Sequence, residues 1–298
     1  MGTSKAYNGR PDTGRLLPPE VQEPKTELLK SQPQEPQVAR SPEEPPKPEV
    51  AFRQVRRAFN RLAEGVRSGV AISAGGGIAR VARDYIRANG GSRTAAQAGP
   101  NGRIGARNLG SFLSAVAQNG LTAATQRFNI ATLAGLPPDV VLVRLLDALL
   151  PNASTREDVL ARHCLANALE RWLDQHDVAG NGLEALERTT QAEIPDLMKL
   201  YLCQYVHDRM LNELVDWAER TGDDETAHIL SEDLREYIDG KLEQHLEHYT
   251  DEFGPDAWLD HADDVAEKLF NDVFGLLEDL PVEDDDREAS NQDTGEES

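Results

Sequence analysis

This 298-residue sequence predicts an all-α protein, a multi-helix bundle with a disordered Pro-rich N-terminal tail and an acidic disordered C-terminus. Three observations carry that expectation. Apolar residues recur every three to four positions almost everywhere past residue 50, which is the period of one helix face. The lone β-branched run, Val140-Val141-Leu142-Val143, falls inside such a pattern, so no strand signal stands. Ten of the seventeen prolines lie between positions 1 and 50, where they remove amide donors and exclude helix interiors.

Residues 1–50 are therefore expected to be an extended or polyproline-like tail, able to carry its tip outward at about 3.1 Å per residue. The tip, Met1-Gly2-Thr3-Ser4-Lys5-Ala6-Tyr7, is a run of mostly small residues ending in one aromatic. On a segment that cannot fold, such a start suggests something that a partner reads; the plain alternative is a solvated end with an accidental tyrosine. With Gly at position 2 the initiator Met is normally removed, which leaves a glycine α-amine that is partly unprotonated at neutral pH and nucleophilic. No apolar run of seven or more residues marks a secretory signal, and Ala6 breaks the myristoylation pattern, which asks for Ser or Thr there.

Residues 51–150 form an Arg/Gly-rich helical region. Thirteen arginines stand against Glu64, Asp84, Asp139 and Asp147, a balance of +9. Phe52, Val55, Phe59 and Leu62 repeat at helical spacing and put Arg53, Arg56, Arg57 and Arg61 largely on the other faces, making a basic amphipathic helix. Eleven glycines punctuate the chain between Gly65 and Gly110, leaving short helices around Ile78–Ala88 and Ile104–Gln118. A helix from about Asp139 to Leu150 is apolar on nearly all sides, as a central core helix would be, and Pro151 ends it.

Residues 151–280 read as an acidic helical bundle, and residues 281–298 as an acidic disordered tail. Together they carry eleven basic and forty acidic side chains, a balance of −29. Ser154 with Glu157, and Thr190 with Glu193, have capping-box spacing, in which each side chain accepts an amide left unpaired at the helix start. The region holds four apolar stripes: Leu160, Cys164, Ala168, Trp172; Met198 to Trp217; Leu230 to Tyr249; and Leu259 to Leu277 after Pro255 at a first-turn position. Four such helices joined by short turns make a bundle. The charge asymmetry between the halves implies either a polyanion partner for the basic part or attraction between the two parts.

Candidate chemistry is sparse. Successive amides of Ser73-Ala74-Gly75-Gly76-Gly77-Ile78 could wrap a phosphate, but the Lys-Ser/Thr of a Walker A is missing and no strand precedes, so a flexible hinge is expected. His245, His248, His261 and Asp264 offer metal ligands without a metal-site spacing and read as solvated or capping side chains. The sequence predicts no metal, no cofactor and no catalytic residue. Cys164 and Cys203 lie in apolar helical patterns and read as buried thiols, not as a disulfide. The most apolar run, Val140–Leu150, is broken by Arg144 and Asp147 and is too short to span a bilayer, so a soluble cytoplasmic protein with no membrane partner is expected.

The start Met1-Gly2-Thr3-Ser4 with Tyr7 and Gly9, the stretch Gly90-Gly91-Ser92-Arg93-Thr94-Ala95-Ala96, the run Leu145 to Pro151 with the capped helix after it, and Tyr205 to Leu214 together resemble the QatB family, a component of the bacterial Qat anti-phage defence system. The resemblance implies a non-enzymatic subunit encoded beside three others: an ATPase-like protein, an enzyme resembling 7-cyano-7-deazaguanine synthases (QatC-like), and a TatD-like nuclease. It implies an adaptor that docks the synthase-like enzyme and presents Gly2 for modification, with Thr3, Ser4 and Tyr7 as recognition contacts. The alternative left open by the residues is a nucleic-acid-binding subunit whose polyanion contacts are Arg53, Arg56, Arg57, Arg61 and Arg93.

Overall fold

The computed structural model describes residues 48–68, 74–151, 154–176, 183–218, 224–253 and 256–279. Of these, 87% are helical and none lies in a strand, so the fold is all-α. Residues 1–47 of the expected N-terminal tail, with Gly2, Thr3, Ser4 and Tyr7, and the whole expected C-terminal tail lie outside the described residues, whereas residues 48–50 open the first helix. The helices are α1 Pro48–Arg67, α2 Ala74–Ala88, α3 Ser92–Gln97, α4 Pro100–Arg127, α5 Pro138–Leu149, α6 Arg156–His176, α7 Leu183–Glu187, α8 Ile194–Ala218, α9 Asp224–Phe253, α10 Ala257–Asp260 and α11 Ala262–Glu278, with a 3₁₀ turn at Gln191–Glu193 before α8.

Pro48 and Pro100 open α1 and α4, at a position where the missing amide is no loss. Gly90 closes α2 with φ of +91°, a conformation that a Cβ would strain. There the Gly91 amide donates to the Ile86 carbonyl and the Gly90 amide to Arg87, both at 3.0 Å, which is a Schellman cap. The glycines expected to form a hinge, Gly75 to Gly77, belong instead to the first turn of α2. Burial of Ile78, Val81, Ala82 and Tyr85 outweighs the helix penalty of about 1 kcal/mol per glycine. Helix α4 runs well beyond the expected span and kinks at Gly120, whose φ of 79° and ψ of 161° are not helical.

Helices α6, α8 and α9 pack in succession, as the stripes predicted. The fourth expected member of that bundle, α11, packs chiefly on α2, α3 and α4 of the arginine-rich half. The apolar stripe feeding it is broken at His261, where φ of −135° and ψ of 34° separate α10 from α11. Helix α5 also departs from expectation. It packs on α6 and, less extensively, α4, and Val143 is 53% exposed, so α5 is a peripheral helix with an apolar outer position.

Close approach at α4 ties the two halves. A Cβ placed on Gly102 would lie 2.3 Å from Cζ of Tyr205, one on Gly105 2.3 Å from Oη of Tyr201, and one on Gly110 2.4 Å from Cε3 of Trp258. All three aromatic side chains are buried there, and the Tyr201 hydroxyl donates to the Gly102 carbonyl at 2.9 Å.

Helical glycines therefore sort by what faces them. Gly102→Ala drives a methyl into the Tyr205 ring and is expected to destabilise the fold by about 1–3 kcal/mol. Gly240→Ala, in α9 with nothing within 4 Å of its Cβ position, should stabilise by about 0.5–1 kcal/mol through helix propensity. Denaturant midpoints of the two variants check both signs.

Candidate functional site

Helix α1 buries Val55, Phe59, Leu62 and Ala63 against its neighbours α2 and α9. At 3.6 residues per turn, Arg53, Arg56, Arg57 and Arg61 then fall with Arg67 in an outward arc of about 140°. All five are exposed. Between Arg53 and Arg67 the one carboxylate in that arc is Glu64, which faces Arg67 at 3.7 Å. None of the first four forms an ion pair among the described residues. Arg93, grouped with them by sequence, is also exposed but sits on α3, which packs on α2 and α11. Other arginines of the same half are spent internally: Arg83 is buried beside Asp84 at 3.1 Å, and Nη1 of Arg107 pairs with Asp263 at 2.9 Å.

The junction between the two halves is built from carboxylates of the acidic half capping helices of the basic half. Glu157 Oε1 accepts from the Gly102 amide at 3.0 Å and from the Tyr205 hydroxyl at 2.8 Å, while Oε2 accepts from the Asn101 amide at 3.2 Å. These are first-turn amides of α4, where the helix dipole also favours negative charge. Glu278 repeats the arrangement, accepting from the Ser92 amide of α3 at 2.8 Å. Arg209 is buried beside the same junction, with its guanidinium 5.6 Å above the centre of the Phe274 ring.

Glu157 is thus not the partner of Ser154 that sequence spacing predicted. Asp158 takes that role: its Oδ2 accepts from the Ser154 and Thr155 amides at 2.9 and 2.8 Å, and its own amide donates to the Thr155 hydroxyl at 3.1 Å. Contacts with Thr155, its amide first and then its hydroxyl, and with the Ser154 amide hold the Asp158 carboxyl down at about 2 against an ordinary 3.8. The other expected box is present, with the Thr190 amide donating to Glu193 at 2.7 Å.

One further polar cluster has the order of a catalytic triad. Nδ1 of His207 lies 2.8 Å from Asp208 and Nε2 lies 3.2 Å from the Ser231 hydroxyl. Nε2 is closer still, at 3.0 Å, to the Ser231 carbonyl, and the ring is only 2% exposed. Gln204 donates to Asp208 at 2.6 Å and Arg235 to Gln204 at 2.8 Å, so the cluster acts as a polar weld between α8 and α9. Burial pushes Asp208 upward, but hydrogen bonds from His207 and Gln204 outweigh it and keep the carboxyl below its usual range. Burial pushes the Cys203 thiol up to about 12 and the Cys164 thiol higher, so both free cysteines stay protonated and are poor nucleophiles.

Among the described residues no group of three or more His, Cys, Asp or Glu is placed to hold a metal. His245 instead faces Asp272 at 3.6 Å in an open groove between α9 and α11, where Lys268 also reaches Asp272 at 2.7 Å. No described helix is long and apolar enough to cross a membrane.

Fold and polar clusters together define an all-α protein whose internal polar groups secure helix junctions and whose first described helix turns a cationic face outward. Residues 90–277 match the family described as Qat anti-phage system associated protein QatB. The chain belongs to the QatB family and is a component of the Qat anti-phage system. No curated protein and no solved structure matches it. The matched span opens on the Schellman glycine after α2 and closes within α11, so it holds Glu157 with the α4 amides it caps and leaves α1, α2 and Glu278 outside.

The depressed Asp158 gives the junction a defined acid limit. A carboxyl whose folded value lies below its unfolded one contributes stability that is complete above about 3.8 and is lost as pH falls toward about 2. The melting-temperature gap between the native chain and Asp158→Asn is expected to be constant at neutral pH and to close through that window. A gap independent of pH from 5 to 2 would show that the carboxylate is not the group at work.

Proposed function

We propose that this chain is a non-enzymatic adaptor of the Qat system that docks a 7-cyano-7-deazaguanine-synthase-like enzyme and presents Gly2 to it as an acceptor amine. Membership of the QatB family carries this reading. The sequence of residues 1–47 supports it: proline-rich, free of long apolar runs, and ending in the small-residue tip Gly2, Thr3, Ser4 and Tyr7. The helical body from α1 onward serves as the dock, and the tail as the tether. Thr3, Ser4 and Tyr7 act as recognition contacts for the partner. The ATPase-like and TatD-like subunits are further partners in a soluble, cytoplasmic assembly.

Co-expression with the synthase-like enzyme, followed by intact mass and peptide mapping, tests the modification. A mass increment on the N-terminal peptide is expected, and an unmodified Gly2 beside an active, co-purifying enzyme would overturn presentation while leaving the complex intact. Removing residues 1–47, which stops short of α1, should leave helicity and melting temperature nearly unchanged and abolish defence. Gly2→Pro should reproduce that loss. By contrast, Leu202→Ala or Leu269→Ala, both fully buried, should act by lowering stability about 2–5 kcal/mol.

A further inference from the structure

Between Arg53 and Arg67 the outward arc of α1 holds Arg53, Arg56, Arg57, Asn60, Arg61, Glu64 and Arg67, without one apolar or aromatic side chain. Glu64, the one acid in that stretch, is matched by Arg67, which leaves four guanidinium groups with no ion pair among the described residues along about 12 Å of helix axis at 1.5 Å per residue. A protein–protein interface needs an apolar or aromatic centre from which water is excluded, and this arc supplies none. Basic amphipathic helices also lie on membranes, but by burying their apolar face in lipid, and here Val55, Phe59 and Leu62 are already buried inside the protein. Base stacking needs exposed rings, whereas Phe52 packs edge-on against the buried Tyr85 with ring centres 6.3 Å apart. What remains is regularly spaced, planar, permanently charged donors, the chemistry that grips phosphates in pairs of hydrogen bonds.

We propose that the arginine face of α1 binds the phosphate backbone of duplex nucleic acid without regard to sequence. Duplex DNA presents one phosphate per about 1.7 Å of axis, so 12 Å of helix meets more phosphates than it has arginines, and all four can engage together. The chain's net charge of −21 does not forbid this, because at physiological salt charges beyond about 8 Å are largely screened. Helix α1 lies outside the span that matches the family, and this binding stands apart from the docking of a partner enzyme and from the fate of Gly2.

Fluorescence anisotropy of the full-length chain with two labelled 20-base-pair duplexes of unrelated sequence, over 50 to 300 mM salt, tests it. Four phosphate contacts predict a log–log slope of about −3.6, about a hundredfold weakening between 50 and 200 mM, equal for both duplexes. Changing Arg53, Arg56, Arg57 and Arg61 together to Gln should flatten the slope toward zero with helicity and melting unchanged, while the four Arg→Lys changes keep it. Absence of binding at 50 mM, or a wild-type slope in the Gln variant, overturns the proposal. So does capture of poly-glutamate by a chain that ignores the duplexes, which would assign the face to an acidic protein.

Discussion

Everything described in this fold depends on how closely α4 approaches the aromatic side chains of α8 and α10. Where Gly102, Gly105 and Gly110 face Tyr205, Tyr201 and Trp258, the space a methyl would occupy is already filled by ring atoms. That proximity lets a side-chain hydroxyl reach the Gly102 carbonyl and lets Glu157, from a third helix, reach the first amides of α4. Contact by dispersion alone would tolerate sliding along the helix axis. Hydrogen bonds to particular amides do not, so the glycine notch sets the distance and Glu157 sets the register.

The division of charge along the chain acquires a physical meaning from this junction. Carboxylates of the acidic half sit at starts of helices in the basic half, Glu157 on α4 and Glu278 on α3, and Asp263 pairs with Arg107. Helix N-termini and arginines thus draw on the same acidic supply. Arg107 is neutralised there by Asp263, whereas the four arginines on the outer arc of α1 have no ion pair among the described residues. A cationic face can act on a strongly acidic protein because charges more than about 8 Å away are largely screened at physiological salt.

Polar clusters that look chemical prove to be mechanical once placed. Ser231, His207 and Asp208 are ordered like a hydrolytic triad, yet His207 is buried and nearer the Ser231 carbonyl than its hydroxyl, which leaves the serine without a base aimed at it. Both thiols are buried and held protonated. Membership of the QatB family places the chain in the Qat anti-phage system, with the other components of that system as its partners.

Much of the fold was legible in the sequence because helix periodicity is a local property: the positions of α1, α6, α8 and α9, the Thr190–Glu193 box and the outward arginines of α1 all arise from residues within a turn or two of each other. Pairing between distant segments was not legible. Ser154–Glu157 and Thr155–Asp158 have identical spacing, and only the arrival of Asn101, Gly102 and Tyr205 decides that Glu157 leaves its own helix start to cap another. The apolar run of α5 implied a central helix, but how many neighbours cover a helix is a tertiary fact, and two leave Val143 exposed. In the same way, glycines 102, 105 and 110 read as interruptions of a helix. Brought against Tyr205, Tyr201 and Trp258, they become points of close approach, because a missing Cβ has consequences only when something stands where it would have been.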